Sequence, residues 1–100
     1  MKQDIVYLRM RHRVQANPEQ KMTIGDVAQI VANDELRDLV GKIPIHQIKP
    51  KDKKFIVIDV MKVVKAIRMS SPYIEVQTMG AAQTIVEVYF AKKTFKPLFL

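Results

Sequence analysis

Residues 5–14 read Ile-Val-Tyr-Leu-Arg-Met-Arg-His-Arg-Val. β-Branched, aromatic and long apolar residues alternating with charge over this length predict a strand. Side chains of a strand point alternately to its two faces. Val6, Leu8, Met10, His12 and Val14 therefore share one face, and Ile5, Tyr7, Arg9, Arg11 and Arg13 share the other. The first set packs a core. The second sets three guanidiniums in a row, spaced at roughly 7 Å by the rise of an extended chain.

Outward from this strand, Asn17-Pro18 breaks the pattern. Thr23 followed by Asp26 reads as an N-cap with a capping box, and Ile24, Val27, Ala28 and Val31 keep helical spacing, which predicts a short helix over 24–32. Asn33 or Asp34 caps a second short helix running through Val40, with Gly41 at its end. Ile43–Ile48 is extended, and Pro44 confines it to an edge or a strand start. Lys49–Lys54 is a solvated turn, and Phe55–Ile58 a short strand. Asp59 then caps a helix in which Val60, Val63, Val64 and Ile67 follow i, i+3, i+4, i+7 spacing, leaving Lys62, Lys65 and Arg68 on the outer side. Ser70-Ser71-Pro72 stops it. Tyr73–Met79 and Thr84–Ala91 alternate around Gly80-Ala81-Ala82 and are expected to pair as a hairpin. The order predicts an α+β fold: a small mixed or antiparallel sheet with a C-terminal hairpin, and about three helices packed on one face.

One hundred residues suit one domain with a real core. Absent cysteine excludes disulfides and thiolate metal sites, and with only His12 and His46 a histidine-rich metal site is disfavoured. No cofactor is expected. The net charge of +7 predicts an anionic partner: nucleic acid, an acidic protein, lipid headgroups or a small anionic solute. The charged first strand does not read as a signal peptide. No run of the chain nears the roughly eighteen apolar residues of a membrane span.

The candidate anion or partner surface is Arg9, Arg11 and Arg13 on the first strand, together with Lys62, Lys65 and Arg68 on the long helix. Guanidinium suits carboxylate and phosphate through its planar fork of donors. The alternative for both sets is an ordinary solvated face, with charge discouraging edge-to-edge association. Nucleic acid is disfavoured, because the chain has neither a Gly-x-x-Gly clamp nor an aromatic-rich strand for stacking bases. An enzyme is also disfavoured. Serine occurs only at Ser70 and Ser71, and Asp26, Asp34, Glu35, Asp38 and Asp59 mostly sit where helix starts favour negative charge. His12 reads as a hydrogen-bonded residue near a strand end, with a buried proton switch as the alternative.

Lys92, Lys93 and Lys96 lead into Pro97-Leu98-Phe99-Leu100. Two readings stand: the approach to a transmembrane helix, or a last segment packing Leu98 and Phe99 on the core.

Three segments, Arg9–Val14, Thr23–Ile30 and Glu75–Glu87, resemble in order the N-terminal domain of the stage V sporulation protein AA family. Ala81 stands where a second glycine after Gly80 is expected. The resemblance implies a single soluble domain over 1–96 and, at 97–100, the start of a linker to a transmembrane region. It implies a membrane subunit of the SpoVA system, which moves dipicolinic acid, with its calcium, into the developing spore and releases it in germination. The implied location is the inner forespore or spore membrane. The basic cluster before the supposed span favours the cytoplasmic side for this domain. The implied partners are other SpoVA-type membrane proteins, with room for a weak dipicolinate contact at the arginines and for a homodimer or strand-exchanged dimer through exposed edges. The resemblance carries over no catalytic residue. The resulting expectation is a non-enzymatic assembly domain of a transport complex, against the alternative of a small basic nucleic-acid-binding module.

Overall fold

A computed structural model of the chain describes residues 4–52 and 54–89. The elements are β1 (Ile5–Met10), β2 (Arg13–Ala16), β3 (Lys21–Thr23), α1 (Ile24–Val27), β4 (Ala28–Val31), α2 (Asp34–Gly41), β5 (Pro44–Gln47), β6 (Phe55–Asp59), α3 (Val60–Ser70), β7 (Glu75–Gly80) and β8 (Gln83–Val88). The fold is α+β as expected, but its strands form three small sheets, ordered β4-β1-β7, β2-β8-β6 and β3-β5.

The frame is a pair of long strands, each broken once. β1 lies parallel to β7, from Ile5 opposite Glu75 to Met10 opposite Gly80. β2 lies parallel to β8, from Arg13 opposite Ile85 to Ala16 opposite Val88. Between them, residues 11–12 of one strand face 81–84 of the other. Each long strand thus leaves one sheet and enters the next at the same level, the bend through which a strand changes sheets.

The expected hairpin is therefore corrected: β7 and β8 pair with β1 and β2, not with each other. A two-residue hairpin of the common type needs positive φ at both central residues. Here Gly80 has φ of 81° and no alanine joins it, so the chain bends without reversing. The residues 90–91 that the expected last strand included lie outside the described residues, as do Lys92, Lys93, Lys96 and 97–100.

The first helix is also shorter than its spacing predicts. It stops at Val27, and Ala28–Val31 becomes β4, antiparallel to β1 with Leu8 opposite Ile30. The capping box does form: the Asp26 carboxylate accepts from the Thr23 amide at 2.8 Å and from its hydroxyl at 3.1 Å. Four residues later the pairing demand of β1 outweighs local periodicity, and β-branched Ile30-Val31 suit a strand.

The other elements follow their signals. The Asn33 side chain accepts from the Leu36 amide at 2.8 Å, and Asp59 from the Met61 amide at 2.7 Å, each starting its helix. Val63 and Ile67 of α3 are fully buried, and Lys62, Lys65 and Arg68 are exposed. The core joins these to Val6, Leu8 and Met10 of β1, to Ile24 and Val27 of α1, and to Val86 and Val88 of β8. Alternation along residues 5–11 holds as predicted. His12 departs from it: it is exposed rather than on the core face, because the chain has left the first sheet at that point.

One buried polar residue secures the break. Thr84 is fully buried, and its hydroxyl lies 2.6 Å from the Arg11 carbonyl and 3.1 Å from the Val27 carbonyl. The Arg11 amide donates to Val27 at 2.9 Å, and the Ile85 amide to His12 at 3.0 Å. The bend thus keeps its backbone groups paired where the ladder is interrupted.

Candidate partner-binding surface

The β4-β1-β7 sheet turns Val6, Leu8 and Met10 inward, which forces Tyr7, Arg9 and the start of the break outward. Arg9, Arg11 and Arg13 are all exposed, on the outer side of the β1–β2 strand. A concavity of about 370 Å³ at the break is walled by all three, with His12, Gln29, Gly80 and Ala81 among its other lining residues.

The three arginines differ in what holds them. Arg13 lies 3.5 Å from the Glu87 carboxylate, and its guanidinium sits 5.6 Å from the centre of the Phe55 ring. Arg9 reaches the Met79 sulfur at 3.8 Å. Among the described residues, Arg9 and Arg11 have no carboxylate within 4 Å, whereas Arg37 on α2 has both Asp34 and Asp38, at 3.4 and 3.9 Å. Of the three arginines at the break, Arg13 is thus paired, and Arg9 and Arg11 have no carboxylate neighbour among the described residues. Gly80 makes room for Arg9: a Cβ there would stand 3.1 Å from the Arg9 Cγ, besides suffering the strain of positive φ.

Lys62, Lys65 and Arg68 do not join this site. They are exposed on α3, which supplies no residue to the walls of the arginine concavity.

A second concavity, of about 340 Å³, adjoins the first and shares Arg9 and Gln29 with it. Its other walls are mostly apolar: Tyr7, Leu8, Val31 and Met79. Tyr7, Val31 and Met79 are 39%, 56% and 43% exposed, large values for apolar side chains on one small face. The sequence reading missed this half. Sequence spacing puts Tyr7 on the arginine face but Val31 in a helix and Met79 in a hairpin, so nothing in it brings the three together.

A further pairing, His46 with Asp52, belongs to structure rather than to the surface. Asp52 accepts from the Lys49 amide at 2.8 Å and lies 3.1 Å from His46 Nε2. The Lys49 hydrogen bond first, and His46 second, hold the Asp52 carboxyl below its ordinary pKa. The unfolded chain therefore takes up this proton before the folded one does, so the contribution of Asp52 to stability is complete above about pH 4 and fades as pH falls through its lowered folded value. Denaturant titrations of the wild type and Asp52→Asn between pH 7 and 2.5 check this. The stability gap between them narrows below about pH 4, and a constant gap would exclude the Asp52 contacts as its source.

Among the described residues no group of three or more histidines and carboxylates is placed to hold a metal ion, and no helix is long and apolar enough to cross a membrane.

Comparison with solved structures finds the same fold in the crystal structure of a functionally unknown protein from Eubacterium ventriosum ATCC 27560, with a TM-score of 0.80 and 20% identity over 89% of this chain and 97% of that one. That likeness concerns the fold alone. A search of curated proteins finds no match. The family model for stage V sporulation protein AA matches residues 3–92, a span containing both broken strands, the arginine row and Gly80. The match covers nearly all of the chain, and the three segments that carried the sequence resemblance lie within it: the chain belongs to the stage V sporulation protein AA family, a family of sporulation proteins.

Proposed function

We propose that this chain is the interaction and assembly domain of a membrane subunit of the SpoVA complex, which moves dipicolinic acid with calcium during sporulation and spore germination. Family membership supports the sporulation setting. The observation that carries the assembly role is the row of Arg9, Arg11 and Arg13 on a strand whose other face is core, with Arg9 and Arg11 lacking carboxylate neighbours among the described residues. A row of this kind, with two of its three guanidiniums lacking a carboxylate neighbour, favours an acidic surface and steers its approach. In this reading, residues 1–96 form the domain and 97–100 begin a linker to a membrane-spanning region. The same reading puts the domain on the cytoplasmic side of the inner forespore or spore membrane, on the strength of the basic cluster Lys92, Lys93 and Lys96 and the positive-inside rule. Cysteine-labelling access in intact cells tests the sidedness.

Arg9→Glu, Arg11→Glu and Arg13→Glu combined test the assembly role in the full-length protein. Like charges brought face to face cost several kcal/mol, so co-purification of the other SpoVA membrane proteins falls at least about tenfold and spores accumulate less dipicolinic acid. Undiminished co-purification sinks the reading. The same row can make a weak direct contact with dipicolinate, a dicarboxylate. An NMR titration that leaves the amides of residues 7–13 unmoved excludes that contact.

A further inference from the structure

The two adjoining concavities differ in chemistry and share a wall. One is apolar, with Tyr7, Val31 and Met79 exposed around it, and the other is cationic, ringed by Arg9, Arg11 and Arg13. Arg9 and Gln29 belong to both, so the two form one groove running from the outer face of the β4-β1-β7 sheet to the strand break. We infer that this groove docks a short acidic segment of a partner protein, one whose large apolar side chain enters between Tyr7, Val31 and Met79 while carboxylates beside it meet Arg9 and Arg11.

The argument is one of complementarity. An anion alone has no use for the apolar half, where exposed Val31 and Met79 lie against water at a cost that only an apolar partner group relieves. A purely apolar partner would leave Arg9 at the shared wall desolvated and unpaired. A nucleic acid would want a series of aromatic platforms, whereas among the described residues Tyr7 is the one aromatic in the groove's walls. A second copy is disfavoured by symmetry, since an isologous contact on this face sets its arginines against their own copies, in a chain of net charge +7. An acidic, apolar-anchored peptide satisfies both halves. Guanidinium forks donate bidentately to carboxylates, and a central apolar anchor with a charged rim is the usual distribution of binding energy in such contacts.

The inference rests on the assembly reading for its biological setting, but its test is independent. Fluorescein-labelled hexapeptides of alternating leucine and glutamate, serine and glutamate, or leucine and lysine are titrated into this chain at about 0.15 M salt, where exposed charge alone is screened beyond roughly 8 Å. The leucine–glutamate peptide binds at least about tenfold more tightly than either other peptide. Val31→Asp, Met79→Glu and Arg9→Glu each weaken it at least about tenfold, the loss expected for one anchor or one charge pair, and Lys62→Glu leaves it unchanged. Circular dichroism of each variant checks folding, and amide shifts in the wild type map to residues 7–13, 29–31 and 79–81. Equal binding of the serine–glutamate peptide overturns the inference in favour of a plain anion surface. Displacement of the bound peptide by equimolar dipicolinate or by a short oligonucleotide overturns it in favour of those ligands. Absence of binding overturns it outright. If the groove fails here while the triple arginine reversal still abolishes co-purification in cells, the assembly reading stands without the groove. If the peptide binds but the reversal leaves the complex intact, the groove stands and the assembly reading falls.

Discussion

Leu8→Ala lowers the unfolding free energy by about 2–5 kcal/mol, whereas Arg9→Ala, one position along the same strand, changes it by less than about 0.5 kcal/mol. Leu8 is fully buried at the centre of β1, the middle strand of its sheet, with Ile30 opposite it on β4 and Thr78 on β7. Truncation removes the transfer free energy of three carbons and leaves a void that two hydrogen-bonded neighbours hold open. Arg9 is exposed, and truncating it loses a contact with the Met79 sulfur and little else. Urea denaturation of the two variants measures the contrast, and the melting temperature of Leu8→Ala falls by roughly 4–8 °C for each kcal/mol lost. A cost at Arg9 comparable to that at Leu8 would mean that the arginine row is part of the fold. It could not then be the free surface that the assembly role requires.

That contrast is also where the sequence was most legible. Period-two alternation over residues 5–11 assigns faces without any knowledge of the partners, because the chain's own geometry does it. The caps at Asn33 and Asp59, the buried stripe of α3 and the exposure of Lys62, Lys65 and Arg68 were readable for the same reason: each depends on spacing within a few residues. What failed was whatever depended on distant pairing. Ala28–Val31 has helical spacing and yet forms β4, because the edge of β1 lies beside it. Gly80-Ala81-Ala82 has turn composition and yet carries β7 onward into β8, because both have parallel partners some seventy residues away. The candidate site divides along the same line. The arginines were legible because they alternate within five residues of one chain segment, across the break from β1 into β2. The apolar half of the groove was not, because Tyr7, Val31 and Met79 come from three strands that only the topology makes neighbours. Lys62, Lys65 and Arg68 were equally legible as an exposed helix face, but α3 supplies no residue to the walls of the arginine concavity.

The same topology makes the strand break the point on which both fold and surface depend, and Thr84 is the residue that exposes this. Thr84→Val costs about 1–3 kcal/mol, and Thr84→Ser recovers part of the loss. Valine keeps the shape of the buried Thr84 side chain and removes the hydroxyl, leaving the part-buried Arg11 carbonyl without its 2.6 Å donor. The Val27 carbonyl, 3.1 Å from the same hydroxyl, still accepts from the Arg11 amide, so its loss is smaller. Serine restores the donor and gives up one methyl group, which costs about 0.8 kcal/mol in transfer alone. The expected order of stability is therefore wild type, then serine, then valine. If the valine variant is as stable as the wild type, the Arg11 carbonyl has found another donor and the break does not depend on this hydroxyl. Hydrogen exchange sharpens the result, because the amides of Arg11 and Ile85 are paired across the same break and lose protection in Thr84→Val before the centre of β1 does. Since Arg11 takes its backbone position from this contact, the valine variant also loosens the middle arginine of the row. It should weaken partner binding without altering the charge of the chain, a signature that separates placement of the guanidinium from its mere presence.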